Sequence, residues 1–158
     1  MFRELIRKKQ QLTNEECIRV LKQEKRGVLS VNGEDGYPYG MPMNHWYDEE
    51  SGKLYFHSGK VGHRLDALKK NDKVTFCVYD SGTREEGKWA LRFESVIVFG
   101  RIRIVDNRDR IVDVAEKMSR KFTQDETYIQ NEIAQYASGT LLLELTVEHM
   151  CGKTVEES

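Results

Sequence analysis

The chain has 158 residues, with 25 Lys and Arg against 26 Asp and Glu, and a formal net charge of −1. That length fits one domain, residues 1–158, with a proper hydrophobic core. The charge balance excludes the large basic excess of a general nucleic-acid or membrane-surface binder, so neither is expected as a partner.

No run approaches the roughly 18 apolar residues of a membrane span. The start, "MFRELIRKKQ", has neither an apolar core nor a small-residue cleavage site. Its Arg3, Arg7, Lys8 and Lys9, interrupted by Glu4, read as a solvated arm. The three cysteines, Cys17, Cys77 and Cys151, are odd in number and widely spaced. They read as reduced thiols packed as small buried residues in a cytoplasmic protein, not as disulfides or a zinc site.

Thr13-Asn14-Glu15-Glu16 has the form of a capping box. The helix it starts carries Cys17, Ile18 and Leu21 inward and is predicted to end near Lys25, before Gly27. "GVLSV" is a strand. "NGEDG" is a turn, because Asn32, Gly33, Asp35 and Gly36 tolerate positive φ. "YPYGMPMNHWYD" is predicted as one second strand, and its Pro38 and Pro42 place it at an edge or bulge. After the turn "EESG" comes a third strand, Leu54 to His57. The tight connections predict an antiparallel meander.

"KVTFCVYD" is a fourth strand with Val74, Phe76 and Val78 on one face and Thr75, Cys77 and Tyr79 on the other, both expected to be covered. A polar loop leads to a long strand from Trp89 to Val105, with Gly100 as a bend. The alternation Arg101-Ile102-Arg103-Ile104 places one face of it in water. Asp106 is the expected cap of a helix from Asn107, with Ile111, Ala115, Met118 and Phe122 as its apolar stripe. A second helix is predicted from Glu126 to Ala137, with Tyr128, Ile129, Ile133 and Tyr136 inward. A last strand covers Leu141 to Val147. Few strands are separated by helices, so the fold class is mainly β (α+β). It is read as an antiparallel six-stranded barrel with peripheral helices, because closure removes exposed edges.

The stretch "LYFHSGKVGHRLDAL" carries the chemistry. At one strand-to-helix junction it gathers His57, Ser58, Gly59, Lys60, Gly62, His63 and Arg64. A helix N-terminus offers unpaired amides and partial positive charge. Glycines allow close backbone approach, and Arg64 can grip a phosphate with two parallel bonds. Three readings stay open on these residues: a solvated basic turn, a phosphate cradle, and a metal site. The metal reading has least support, because His45, His57 and His63 lack common ligand spacing and no cysteine pair accompanies them. The P-loop pattern is absent, as is the nucleophile motif "GxSxG".

Taken in order, "MFRELIRKKQQLTNEE", "GVLSVNGEDGYPYGMPMNHWYD", "LYFHSGKVGHRLDALKKNDKVTFCVYD", "RFESVIVFGRIRIV" and "EHMCGKTVE" resemble the flavin-binding split barrels of the pyridoxamine-phosphate-oxidase-like superfamily. The nitroimidazole-resistance (Nim-type) branch is the nearest in pattern. The resemblance runs nearly end to end. It implies a split barrel forming a homodimer with FMN at the subunit interface. It also implies Lys60, His63 and Arg64 as phosphate contacts assisted by Ser58, where many relatives have lysine in place of Arg64. Met43 and Asn44 would lie along the isoalloxazine edge. His57 matches a histidine near the flavin and is the candidate catalytic residue. Lys153 matches a lysine near the cofactor, and Ser95 falls in a strand near the interface. Trp46 and Trp89 are expected in core or dimer packing, and no metal is expected.

A bound flavin supplies the redox chemistry while the protein sets orientation and electrostatics. A positive group near the ring's pyrimidine end would stabilise its reduced anion, so His57 or Lys153 could tune its potential. The expected function is an FMN-dependent oxidoreductase with a small-molecule electron donor and acceptor, the acceptor in the Nim branch being a nitroaromatic such as a 5-nitroimidazole. The alternatives are a non-catalytic flavin-binding or sensing dimer, and a haem- or deazaflavin-binding relative.

Overall fold

The computed structural model describes residues 1–157. Thr13 caps the first helix, α1 (Asn14–Gln23), with the expected reciprocal pair: the Glu16 amide donates to Thr13 Oγ1 at 3.2 Å and the Thr13 amide donates to Glu16 Oε2 at 2.7 Å. The strands are β1 (Arg26–Asn32), β2 (Pro38–Asn44), β3 (Trp46–Asp48), β4 (Lys53–Gly59), β5 (Lys73–Tyr79), β6 (Leu91–Val105) and β7 (Thr140–Glu157). The remaining helices are α2 (His63–Lys70), α3 (Arg108–Ser119) and α4 (Glu126–Tyr136). In the β1–β2 turn only Asp35 and Gly36 take positive φ, at 55° and 79°.

All seven strands form one antiparallel sheet in the order β2-β1-β5-β6-β7-β4-β3. There are seven rather than the expected six because "YPYGMPMNHWYD" breaks at His45 into β2 and β3. These two strands sit at opposite ends of the sheet, yet one residue joins them. The sheet must therefore curl until its edges meet, which makes a barrel with a seam between β2 and β4. Pro42 sits in edge strand β2, as its missing donor requires.

His45 is fully buried at that join. Its Nε2 donates to the Leu21 carbonyl at 2.7 Å, and its ring meets Phe76 edge-on at 4.9 Å. With the proton on Nε2, Nδ1 is a bare acceptor, buried without a partner. Burial pushes the imidazole down from 6.5 to about 4, with the nearby Lys121 ammonium adding to the shift. Lys121 itself, lowered to about 8 by burial, donates to the carbonyls of Glu24 at 2.7 Å and His45 at 2.9 Å. These bonds tie the end of α1 to the join.

The folded state holds His45 neutral, while the unfolded chain protonates it near 6.5. Stability should therefore fall as pH drops from 6.5 towards 4, by about 3 kcal/mol at 1.36 kcal/mol per unit. Urea melts across that range should show the loss, and His45→Leu should flatten the slope while lowering stability at pH 7.

Two apolar layers follow from strand alternation. Inside the barrel, Met41, Leu29, Phe76, Val98 and Met150 form one registered row, packed with Cys17, Val20 and Leu21 of α1 and Leu65 and Leu68 of α2. On the opposite face of β4 and β7, Tyr55 and Leu142 pack under Ile111, Val114, Ala115 and Met118 of α3 and Ile129 and Ile133 of α4, with Trp46 beside them.

Several sequence expectations shift here. Asn107, not Asp106, caps α3, accepting from the Arg110 amide at 3.0 Å. Phe122 lies beyond the end of α3 and is exposed, as are Tyr128, Tyr136 and Trp89. Only Cys17 is a buried thiol; Cys77 and Cys151 are half-buried on the barrel exterior. The outer side of β5 is therefore covered only in part. β7 runs well past Val147 because a bulge carries it on: Gly100 pairs with Val147 and Phe99 with His149. Gly100 is needed at that bulge, since a Cβ there would collide with the Thr146 carbonyl.

Candidate functional site

The strand-to-helix junction sits on the seam. β4 alternates Phe56 and Ser58 inward with Tyr55 and His57 outward. Gly59 to Gly62 then turn the chain into α2, with Gly62 at φ 129° preceding the first helical residue and no side chain capping the helix. A Cβ added at Gly59 or Gly62 would meet nothing within 4 Å, so the turn leading into α2 borders open space.

Arg64, half-buried in the first turn of α2, bridges the seam. Its Nη2 donates to Ser58 Oγ of β4 at 3.0 Å, and its Nη1 meets the Met43 sulfur of β2 at 2.6 Å. Nε is buried without a partner. Burial lowers the Arg64 pKa from its ordinary value, though an arginine so high to begin with stays charged at any physiological pH. This cation has no carboxylate partner among the described residues. A buried charge with two weak partners is costly unless something anionic completes its shell. Ser58 is itself buried and donates to the Gly59 carbonyl at 3.0 Å, so it holds Arg64 in place instead of presenting a free hydroxyl. His63 is exposed and stacks on Tyr39 at 4.3 Å, and Lys60 is exposed on the loop.

Beside the bridge lies a recess of about 290 Å³ lined by Pro42, Met43, Asn44, His57 and Met118. His57 Nε2 is buried without a partner. Burial lowers the His57 pKa, which disfavours the positive charge that His57 could otherwise place near a flavin. Asn44 Oδ1 accepts from Arg26 Nε at 3.0 Å. Larger grooves exist, one of about 750 Å³ bordered by Lys25, Arg26, Pro42 and Tyr79 and one of about 370 Å³ beneath Phe2. Neither gathers unpartnered buried polar atoms as the seam does.

One chain thus brings together Met43, Asn44, His57, Ser58, Lys60, His63 and Arg64. It does not bring in Ser95 and Lys153. Those two face each other across β6 and β7. They lie at the opposite end of β6 from Val105, which shares a row with Leu142 and His57. Tyr39 and Met118 were not singled out in the sequence. Tyr39 shares a face of β2 with Met41 and Met43, a signal that could have placed it; Met118 reaches the recess only through tertiary packing. No group of three or more His, Cys, Asp or Glu side chains comes together among the described residues, and none of the described helices is long and apolar enough to cross a membrane.

A sequence search of curated proteins finds no match. Solved structures share the fold at low identity. A candidate 5-nitroimidazole antibiotic resistance protein from Bacteroides thetaiotaomicron superposes with a TM-score of 0.77 at 18% identity, over 93% of this chain and 87% of that one. An FAD-binding protein from Mesorhizobium loti gives 0.64 at 20% identity, over 92% and 96%. An FAD and haem binding protein from Mycobacterium smegmatis gives 0.71 at 17% identity, over 91% and 72%. The family model described as pyridoxamine 5'-phosphate oxidase matches residues 13–154, nearly the whole span from the α1 cap through β7, and the chain belongs to that family.

Proposed function

We propose that this protein is an FMN-dependent oxidoreductase that works as a homodimer and reduces small nitroaromatic compounds, 5-nitroimidazoles among them. The observation that carries the reading is Arg64: a half-buried guanidinium with no carboxylate, set in the first turn of α2 beside open space. A terminal phosphate monoester fits that position, because it is dianionic and can take the free amides of α2 together with Arg64, His63 and Lys60. Flavin binding is also what the names of the Mesorhizobium and Mycobacterium proteins state for those proteins.

The residues of the seam fit FMN in a defined order. Lys60, His63 and Arg64 would hold the phosphate, with Ser58 and Met43 holding Arg64. Met43 and Asn44, on the unpaired edge of β2, would align the isoalloxazine ring. His57 would pack against that ring. When bound, FMN supplies hydride and electron transfer. The protein's own part is to position the ring, exclude water from the recess and place charge near it.

The dimer reading has its own support. Pro42, Val28, Cys77, Ile97 and Cys151 form one registered row across five strands on the barrel's outer face. Val28 and Ile97 are each 37% exposed, and α3 and α4 pack elsewhere. A self-complementary apolar strip of this kind suits a two-fold contact with a second copy. Ser95 and Lys153 flank the strip, so in a dimer they can approach the partner's flavin, which explains their distance from the seam of their own chain.

The test is direct. Bound flavin should bleach under NADH or NADPH without oxygen and recover its colour on adding a 5-nitroimidazole, with loss of the nitro absorbance. Flavin that binds but stays oxidised under both donors would favour the non-catalytic sensing dimer.

A further inference from the structure

His57 lines two spaces, not one. Besides the recess shared with Met43 and Met118, it borders a cavity of about 160 Å³ beneath α3 and α4, whose other walls include Ile111, Ala115, Ile133, Tyr136 and Glu132. The two spaces share no other wall residue. We propose that the cavity beneath α3 and α4 is a second ligand site, for a small uncharged aromatic compound with one hydrogen-bonding edge directed at His57.

Size, lining and the unpaired nitrogen each support this. The space opens at a rim of Ser119, Glu132, Tyr136 and Thr140, and its volume is close to the roughly 150 Å³ that holds one benzene in an apolar cavity. The floor is apolar, formed by Ile111, Ala115, Ile133 and Ala137, all buried. Such a floor favours an uncharged ring over a charged one, and the Glu132 carboxylate at the rim repels anions. Nε2 of His57 is a buried polar atom that no protein group satisfies, and leaving it so is unfavourable. A ring that fills the cavity and presents one polar atom satisfies it. The occupant then shares His57 as a wall with the recess assigned to the flavin. The site does not require that assignment, because apart from His57 its walls lie on α3, α4, the turn before β7 and the first residue of β7.

The experiment uses the full-length protein with the methyl groups of isoleucine labelled, with and without added FMN. Three fluorinated probes are titrated: fluorobenzene, 3-fluoropyridine, which accepts a hydrogen bond, and 3-fluoroaniline, which donates one. The Ile111 and Ile133 methyl signals should shift. One polar probe should bind about tenfold tighter than fluorobenzene, the preference expected when a buried polar atom gains its partner. Both results should persist when FMN is present, and a probe that binds equally well without FMN separates this site from the flavin reading. Ala115→Leu or Ala137→Leu, which fill the space, should abolish binding while leaving FMN affinity unchanged. The proposal is overturned if neither methyl signal moves at millimolar probe, if FMN displaces the probe, or if a folded filled variant binds as wild type does. The methyl shifts are read on wild-type protein, so they decide the matter even if both variants misfold.

Discussion

Alanine at both Lys60 and Arg64 is expected to weaken FMN binding by about 3–6 kcal/mol, from two charge-assisted bonds of roughly 1.5–3 kcal/mol each. That is a rise of about 10²–10⁴ in the dissociation constant. The larger share belongs to Arg64, the half-buried member, since Lys60 is exposed and its charge is screened by water and salt. Arg64 also joins β2 to β4 through Met43 and Ser58. Its loss should lower the melting temperature as well, even without flavin. Arg64→Lys separates the two roles: the charge stays, but a single ammonium cannot reproduce the forked contact across the seam. Flavin fluorescence titration reads the affinity and circular dichroism the melt. An FMN affinity unchanged in the double variant would place the phosphate elsewhere.

Ile97→Glu should have an effect of similar size on a different observable. Ile97 stands between Cys77 and Cys151 in the outer apolar row. In a two-fold contact each substitution acts twice, and an unpaired buried carboxylate is strongly unfavourable. Burying the two charges should weaken the dimer by about 4 kcal/mol or more, roughly a thousandfold in its dissociation constant. The variant should elute as a folded monomer, because Ile97 faces solvent within its own chain. It should also lose FMN, since the partner's Ser95 and Lys153 leave with it. An Ile97→Glu protein that stays dimeric would move the contact off this strip, and one that elutes as a flavin-loaded monomer would contradict the shared-site reading.

Features set by neighbouring residues were the legible ones. The capping box at Thr13, the β1–β2 turn, the junction from His57 to Arg64 and the alternation through Arg101 to Ile104 each depend on local chemistry, and each stands where the sequence put it. The break at His45 was not legible. No glycine or proline marks it, and it exists because the curled sheet brings its two ends together there. The length of β7 was hidden by its bulge, which shifts the inward and outward pattern near Glu148. Tyr128 and Tyr136 were read as inward from helical spacing alone, but only Ile129 and Ile133 reach the layer over β4 and β7.

The same division holds at the site. Lys60, His63 and Arg64 lie within one turn and could be grouped from the sequence. The meeting of Arg64 with Met43, of His63 with Tyr39 and of His57 with Met118 needed the fold. Ser95 and Lys153 came from family resemblance, and they pair across β6 and β7 away from the seam of their own chain, so it is the proposed dimer that would give them a role. The burial of His57, which lowers its pKa, also needed the structure, because no local pattern reveals it.

The proposed function requires an anion held at the start of α2, and FMN and riboflavin differ only in that anion. Affinities of the purified, flavin-free protein for the two, measured side by side, test it most directly. FMN should bind at least a hundredfold tighter than riboflavin, and the gap should close in the Lys60→Ala, Arg64→Ala variant. Equal affinities in the wild-type protein, or no binding of either, would contradict it.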